Sequence, residues 1–292
     1  MNKYYKILLS SLDTFASKNP YTWIYGLARS VLALSIIITL LFSSENILFD
    51  EFLFGKSALS TPLNNLNYFF VFGYENLKIS RYIAILILSS VIFGYYPRYT
   101  GILQWWITFS FLHSGAIIEG GDQIASIITF FLIPITILDS RKNHWHSKKS
   151  NNLYINFIGR VCLILISFQM SIIYFHSVIE KIYKVSEWSD GTAVYYFFND
   201  SLFGYPNWME LLLGNLLESK FVFFITWLVI LLELLLFTAF FMDRKKKMLL
   251  FPLAVLFHFF IALIFGLVSF FFAVLGGLII YLIPYNYNYE KK

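Results

Sequence analysis

The residue types in this chain best suited to chemistry lie at the end of its fifth apolar segment. There, a helix apolar enough to cross a bilayer ends in four ionisable side chains: His176, Glu180, Lys181 and Lys184. Trp188 and the turn Asp190-Gly191 follow within a few residues. Ionisable groups at a membrane boundary are costly unless they are paired, hydrated or used, so this pattern indicates a site rather than a simple anchor.

Lys181 is the candidate catalytic base of this segment. It lies about 100° around the helix from Glu180, on the face of Tyr174 and Ser177, whereas Glu180 and Lys184 have the spacing of a surface ion pair. A lysine held against an apolar wall loses hydration and becomes able to act as a base or nucleophile. Two alternatives stay open: Lys181 snorkels to the headgroups, or it forms a Ser177–Lys181 hydrolytic dyad, for which no oxyanion loop is recognisable.

A second polar group is predicted near the same outer side of the membrane. His113 lies in the outer part of the third apolar segment, and Glu119-Gly120-Gly121-Asp122 follows it. Asp122 either caps the next helix as its N-cap or, together with His113 and Lys181, lines a cavity. We predict no metal site: His144 and His146 flank Trp145, but no further Cys or His accompanies them.

Four ionisable residues inside apolar segments form a third group: Arg29, Arg160, Glu233 and His258. Each lies roughly 10–15 Å along its helix from the predicted cytoplasmic end, so the four are expected at one depth. They are predicted to meet beneath the outer cavity, either as a structural network that locks the bundle or as a ligand or proton site.

Composition places the chain in the integral membrane class. Hydrophobic residues make up 58% of its 292 residues and charged residues 13%, with a mean hydropathy of +0.67. Cys162 is the only cysteine, which excludes an internal disulfide and a CxxC redox motif. Most of the net charge of +5 lies where anionic membrane lipids would meet it, so lipids are expected partners and nucleic acid is not.

The apolar segments predict an all-α, polytopic membrane protein. A bilayer needs roughly 20 apolar residues per span. The predicted spans lie near residues 21–43, 80–97, 101–119, 123–139, 153–180, 221–242, 248–265 and 267–284. Fourteen Lys and Arg fall on one side and six on the other, which predicts about eight transmembrane helices with both termini cytoplasmic. Residues 1–20 are predicted to form an amphipathic interfacial helix, and residues 21–292 the membrane domain.

Motifs along nearly the whole chain resemble a known family. They are Gly26-Leu27-Ala28-Arg29, Gly120-Gly121-Asp122, Pro134, Asp139-x-Arg141-x-Asn143-His144-Trp145, Tyr174, Lys181, Trp188, Gly191-Thr192-Ala193-Val194-Tyr195-Tyr196, Glu233, His258 and Gly266-Leu267. Their order and spacing resemble the HTTM group, the horizontally transferred transmembrane domains related to vitamin K-dependent γ-carboxylase. Within that group, the chain is most similar to the sporulation-delaying protein B (SdpB-like) family.

The resemblance implies a bacterial plasma-membrane factor that matures or exports a secreted antimicrobial peptide toxin. It implies two partners, a small A-type accessory protein and a C-type toxin precursor. It places Lys181 at the position of the carboxylase base. We further predict His113 as a second candidate catalytic residue and Trp188, Asp122 and Tyr174 as residues that line the outer cavity. Two alternatives stay open: a carboxylase-like or oxygenase-like enzyme that uses reduced menaquinone or vitamin K, and a non-catalytic immunity or scaffold protein.

Overall fold

The computed structural model describes residues 3–49, 66–146, 148, 150–201 and 204–285. Within these ranges the fold is all-helical, as predicted, apart from one isolated bridge between Tyr95 and Asn143. In chain order the α-helices are α1 (Lys3–Ala16), α2 (Trp23–Phe42), α3 (Glu45–Leu48), α4 (Leu77–Ile92), α5 (Pro97–Ser114), α6 (Gly120–Ile137), α7 (Leu153–Lys184), α8 (Ser186–Ser189), α9 (Ala193–Phe198), α10 (Glu210–Leu217), α11 (Phe221–Thr238), α12 (Arg244–Phe265) and α13 (Val268–Leu282).

In the part of the chain that the structure describes, five helices are long and apolar enough to cross a membrane. They are α2, α6, α7, α11 with the following turn Ala239–Phe241, and α12. The other three predicted spans coincide with α4, α5 and α13, which have 16, 18 and 15 residues and do not meet that length and hydropathy by themselves. The helices therefore support a membrane protein, while the count of eight spans stays a prediction.

The junction between α4 and α5 lies several residues before its predicted place. Gly94 adopts a φ of 86° and Tyr96 a φ of 40°, and Pro97 then opens α5, where its missing N–H costs nothing. As a result, α5 ends at Ser114 rather than near residue 119. His113 consequently lies in the last turn of its helix and is followed by a non-helical link to α6.

Small residues allow the central helices to approach closely. A Cβ on Gly276 of α13 would lie 2.6 Å from Leu32 of α2, and one on Gly277 would lie 2.5 Å from the sulfur of Met170 on α7. Likewise, a Cβ on Gly101 of α5 would lie 2.3 Å from the hydroxyl oxygen of Thr136 on α6. Helices in lipid gain stability mainly through such packing, so these glycines fix how α13 contacts α2 and α7.

Alternate connections meet at the same end of the bundle. The Tyr96 N–H after α4 donates to the Lys142 carbonyl after α6 at 2.9 Å. At the other end, the Ala116 N–H donates to the Leu48 carbonyl at 2.7 Å. We call the first the α1 end, because Phe15 of α1 packs against Phe157 there, and the second the far end. Helix α1 (Lys3–Ala16) lies within the segment predicted as an interfacial helix, and the division into an interfacial helix and a membrane domain stays a prediction.

Helix α7 is the element that carries the candidate base. Its 32 residues span about 48 Å, well beyond the roughly 30 Å hydrocarbon thickness. Asn152 caps its start by accepting from the N–H groups of Tyr154 and Ile155. Because the helix is continuous to Lys184, Lys181 is held on a rigid element rather than on a loop.

Candidate functional site

Lys181 forms a triangle of polar contacts between α7 and α11. Its Nζ lies 2.9 Å from Glu233 Oε2 and 3.0 Å from Oε1, and it donates to Ser177 Oγ at 2.6 Å. Ser177 in turn donates to Glu233 Oε2 at 3.1 Å. The Lys181 side chain is 18% exposed and that of Glu233 8%, so the ion pair is largely, but not fully, removed from solvent.

Trp188 forms one wall of this site. The Lys181 ammonium lies 5.0 Å from the centroid of the Trp188 ring, within the range of a cation–π contact. Trp188 is itself buried in a small apolar cluster with Val178, Ala193 and Ile230. The sequence-based grouping of Lys181 with Trp188 is therefore present in the structure, and their contact brings α7 and α8 together.

A tight turn at Gly191 positions the segment after Trp188. Gly191 has a φ of 77°, and a Cβ there would lie 2.2 Å from the Phe223 ring, so glycine is required for both reasons. A cavity of about 530 Å³ adjoins this turn. Its lining includes aromatic side chains and two opposite charges: Tyr195, Tyr196, Phe223, Phe224, Asp190 and Lys220. Among the described residues that line it are neither Lys181 nor Glu233, so this aromatic cavity adjoins the turn after Trp188 rather than the ion pair itself.

Tyr174 and His258 extend the site inward along α7 and α12. The Tyr174 and His258 rings pack edge to face with centroids 6.0 Å apart, and both side chains are buried. His258 Nδ1 lies 2.8 Å from the Ala254 carbonyl, so Nδ1 donates. In the described part of the chain, the buried Tyr174 hydroxyl has no hydrogen-bond partner. That hydroxyl therefore keeps its hydrogen-bonding capacity free next to Glu233.

His113 and Asp122 have roles other than the predicted shared cavity. His113 is exposed at the end of α5, where Nδ1 pairs with the Phe109 carbonyl at 2.8 Å. Asp122 is buried and accepts from the Glu119 N–H at 2.9 Å. Glu119 is the N-cap of α6 and Asp122 its N3 residue, so the pair forms a capping box. Asp122 therefore takes part in capping α6, as one alternative predicted, but it does so from position N3 rather than as the N-cap.

The four predicted intramembrane residues do not form one network. Arg29 contacts His144 Nδ1 at 3.1 Å and Thr100 Oγ1 at 3.2 Å, both at the α1 end. Arg160 donates to the Phe15 carbonyl. Glu233 and His258 instead lie with Lys181 and Tyr174, because Glu233 on α11 pairs with Lys181 on α7 and the His258 ring packs against Tyr174.

A separate cluster of buried polar side chains, which we call the α1-end knot, lies at the α1 end. Arg141 pairs with both carboxylate oxygens of Asp139, at 2.7 Å for the closest contact, and its Nη1 donates to the carbonyls of Tyr21, His144 and His146. Since a guanidinium only donates, His144 Nδ1 accepts from Arg29 and its Nε2 carries the proton, 3.2 Å from Ser30 Oγ. This knot ties α2 to the connection after α6.

Two features of these sites escape sequence reasoning. Ser177 is visible only as an i, i+4 neighbour of Lys181, and its bond to Glu233 depends on how α7 meets α11. The α1-end knot is signalled by Asp139, Arg141 and His144 in one short connection, but nothing in the sequence pairs that connection with Arg29.

Together, the membrane-length helices and the buried lysine–carboxylate pair define a helical membrane protein with a polar site near one end of its bundle. Comparison with known proteins identifies the family: the chain belongs to the SdpB-like family. It is 39% identical over 291 residues to sporulation-delaying protein SdpB of Bacillus subtilis, a match that covers 96% of this chain and 88% of that protein.

A second relative has no assigned function. The chain is 35% identical over 280 residues to the uncharacterized protein YitO of Bacillus subtilis, covering 94% of this chain and 89% of YitO. No family model and no solved structure matches the chain. The predicted relation to HTTM domains and the carboxylase therefore stays a prediction.

Proposed function

We propose that this protein is a plasma-membrane factor for the maturation or export of a secreted peptide toxin of the sporulation-delaying type. Its similarity to sporulation-delaying protein SdpB over 96% of the chain supports a role in sporulation delay. The observation that carries the proposal is the Lys181–Ser177–Glu233 triangle beside Trp188. It holds a partly exposed charged pair on rigid helices against the Trp188 ring, and the Gly191 turn that follows Trp188 lines a cavity with aromatic walls.

In this proposal the far end faces the outside of the cell. Eight spans with both termini in the cytoplasm would place Lys181 and the Gly191 turn at the outer membrane boundary. Reporter fusions test this topology. A fusion after Lys184 should report the outside, and a fusion at residue 292 should report the cytoplasm. An external C-terminus would contradict the eight-span topology.

The proposed substrate is a C-type toxin precursor peptide, presented together with a small A-type accessory protein. Aromatic side chains around the far-end cavity favour binding of apolar peptide side chains. Lys181 and Glu233 offer a donor and an acceptor to the peptide backbone, and the Tyr174 hydroxyl offers a further hydrogen bond. These groups orient a peptide at the membrane edge, and Lys181 is the proposed catalytic base if a bond is made or broken.

Mass spectrometry of secreted peptides tests the proposal directly. Cells that carry this gene and its neighbours are compared with cells that carry Lys181→Ala, at matched membrane abundance. We expect the mature peptide to disappear and an unprocessed precursor to accumulate. The mass difference between the two species then gives the chemistry.

Lys184→Ala is the matched control. Lys184 lies on the same helix, three residues away, but its side chain is 66% exposed, and among the described residues it pairs with the surface residue Glu180 alone. Its removal should leave the peptide profile unchanged. If Lys181→Ala also leaves the profile unchanged, the maturation role is contradicted and the immunity or scaffold alternative is favoured.

The carboxylase-like alternative requires a particular protonation state of Lys181. A lysine base must be neutral when it accepts a proton, and Glu233 at 2.9 Å is a partner for the charged ammonium. The alternative therefore requires the proton to leave the pair before the reaction. Loss of the mature peptide in cells that lack menaquinone, but not in cells that lack only other quinones, would favour it.

A further inference from the structure

A second cavity, of about 410 Å³, opens at the α1 end of the bundle, away from Lys181. Its wall is formed by the link between α1 and α2, by α7, and by the facing ends of α12 and α13. Four of its lining side chains are cationic: Lys18, Arg160, Arg244 and Lys247. Among the described residues that line it, none is Asp or Glu. Its volume lies within the roughly 300–1,000 Å³ typical of small-molecule sites.

Aromatic rings, rather than acids, hold two of these cations. The Arg160 guanidinium lies over the Phe15 ring, 3.8 Å from its centroid, and 5.1 Å from that of Tyr285. The Lys247 ammonium lies 5.5 Å from the Tyr281 ring centroid. Ring faces attract cations without neutralising their charge. The cavity therefore keeps an uncompensated positive charge in fixed positions.

The acidic residue adjacent in sequence to Arg244, Asp243, makes its contacts elsewhere. Asp243 caps α12 by accepting from the N–H groups of Lys245 and Lys246, at 2.9 and 3.1 Å. Its other contact is the Lys246 ammonium at 3.5 Å. Asp243 does not line the cavity, so Arg244 and Lys247 face it without this counter-charge.

Apolar side chains complete the wall on the side of the spanning helices. Leu163 and Ile164 of α7 line the cavity together with Ile280 near the end of α13 and Ile283 just after it. Ile164 is 44% exposed on the outer surface of the bundle, where lipid tails would contact a membrane helix. The cavity thus combines cationic side chains with apolar ones, and one of the apolar residues is exposed on the outer surface of the bundle.

We propose that this cavity binds one anionic phospholipid. The phosphodiester would lie among Arg160, Arg244 and Lys247, and the acyl chains would leave past Ile164 into the bilayer. Basic pockets between spanning helices are suited to such headgroups, because each cation near the surface contributes about 1 kcal/mol of attraction. The bound lipid would join α1 to the ends of α7 and α12, a role independent of the peptide site.

Native mass spectrometry of the purified full-length protein tests this assignment. Protein in detergent is titrated with phosphatidylglycerol or with phosphatidylcholine, and retained lipid is counted. We expect a single retained phosphatidylglycerol and much weaker retention of phosphatidylcholine. Arg244→Gln/Lys247→Gln should reduce phosphatidylglycerol retention by about tenfold or more, because two attractive charges are lost.

Lys245→Gln/Lys246→Gln provides the matched control. It removes the same charge from the same helical turn, but neither residue lines the cavity. This variant should keep wild-type retention. Equal losses in the two double variants would overturn the proposal, because they would indicate general attraction to positive charge.

Two further measurements complete the test. Inorganic phosphate added at millimolar concentration should not displace the lipid, and displacement would overturn the lipid assignment in favour of a free-phosphate site. Thermal unfolding without added lipid shows whether each variant is folded. If Arg244→Gln/Lys247→Gln is unfolded, the single variant Arg244→Gln, at an exposed position, replaces it in the same comparison.

Discussion

The two ends of the bundle hold buried charge in opposite ways. At the α1 end, the side chains of Asp139 and Arg141 are 1% and 3% exposed, and the guanidinium is also bonded to three backbone carbonyls. At the far end, Lys181 keeps 18% exposure and pairs with Glu233 beside the unpartnered Tyr174 hydroxyl. An ion pair that is fully buried and bonded to backbone carbonyls favours one packing, whereas a partly exposed pair can still contact a substrate. We therefore expect the first pair to contribute mainly to stability and the second to function.

Breaking the α1-end knot should have the largest effect on stability. Arg141→Gln leaves the Asp139 carboxylate buried and unpaired, which costs about 3–5 kcal/mol for a buried ion pair. We expect a sharply lower unfolding temperature in detergent and reduced membrane abundance. Lys142→Gln, at the exposed neighbouring position, is the control and should behave like the wild type. A fully stable Arg141→Gln protein would refute the structural role of the knot.

A double-mutant cycle at the far end should separate stability from function. Lys181→Met leaves Glu233 unpaired and should cost about 1–3 kcal/mol. Lys181→Met/Glu233→Gln removes both charges and should recover most of that loss. Peptide maturation should stay absent in both variants. Recovery of the mature peptide in the double variant would show that the ion pair acts only through stability.

Substituting alanine for one glycine at each end of the bundle should have an intermediate effect on stability. At Gly191, φ of 77° and the Phe223 ring both oppose a Cβ, and at Gly26 a Cβ would lie 2.7 Å from the His144 ring. Each substitution should cost about 1–3 kcal/mol. In thermal unfolding both should be destabilised, but at matched abundance only Gly191→Ala should reduce peptide maturation. Gly214→Ala, with open space around it, is the control for both.

The smallest effect should be a pH dependence of stability from His144. Burial, with the charges of Arg29 and Arg141, lowers the pKa of His144 to about 2. Between that pKa and the unfolded value of about 6.5, the unfolded chain binds a proton that the folded chain does not. The free energy of unfolding therefore falls on acidification below about pH 6.5, by at most about 1.4 kcal/mol per pH unit.

His144→Asn should make this dependence shallower, as measured by unfolding temperatures at pH 7.5, 6.5 and 5.5. His146→Asn, at the exposed neighbouring histidine, should keep the wild-type slope. An unchanged slope in His144→Asn would place the titrating group elsewhere in the chain.

Much of the fold could be predicted from the sequence because hydropathy is a local property. Helices lie at all eight predicted apolar segments, and the errors are in their bounds, such as the early start of α5 at Pro97. At the site, the contact of Lys181 with Trp188, and the position of Tyr174 on the same helix as Lys181, follow from residues that lie within fifteen positions on or next to one helix. A cavity shared by His113, Asp122 and Lys181 depends on how separate helices pack, which a local pattern does not encode.

The sequence by itself determined the membrane class, the helical fold, the family and the identity of the candidate base. Apolar length, charge content and motif spacing along one chain are sufficient for these. Only the tertiary structure decided which charges meet. Glu233 pairs with Lys181 rather than with an arginine, and Arg29 pairs with His144, because α11 packs against α7 and the connection after α6 folds back onto α2. Side-chain pairing depends on helix packing in three dimensions, which hydropathy does not encode.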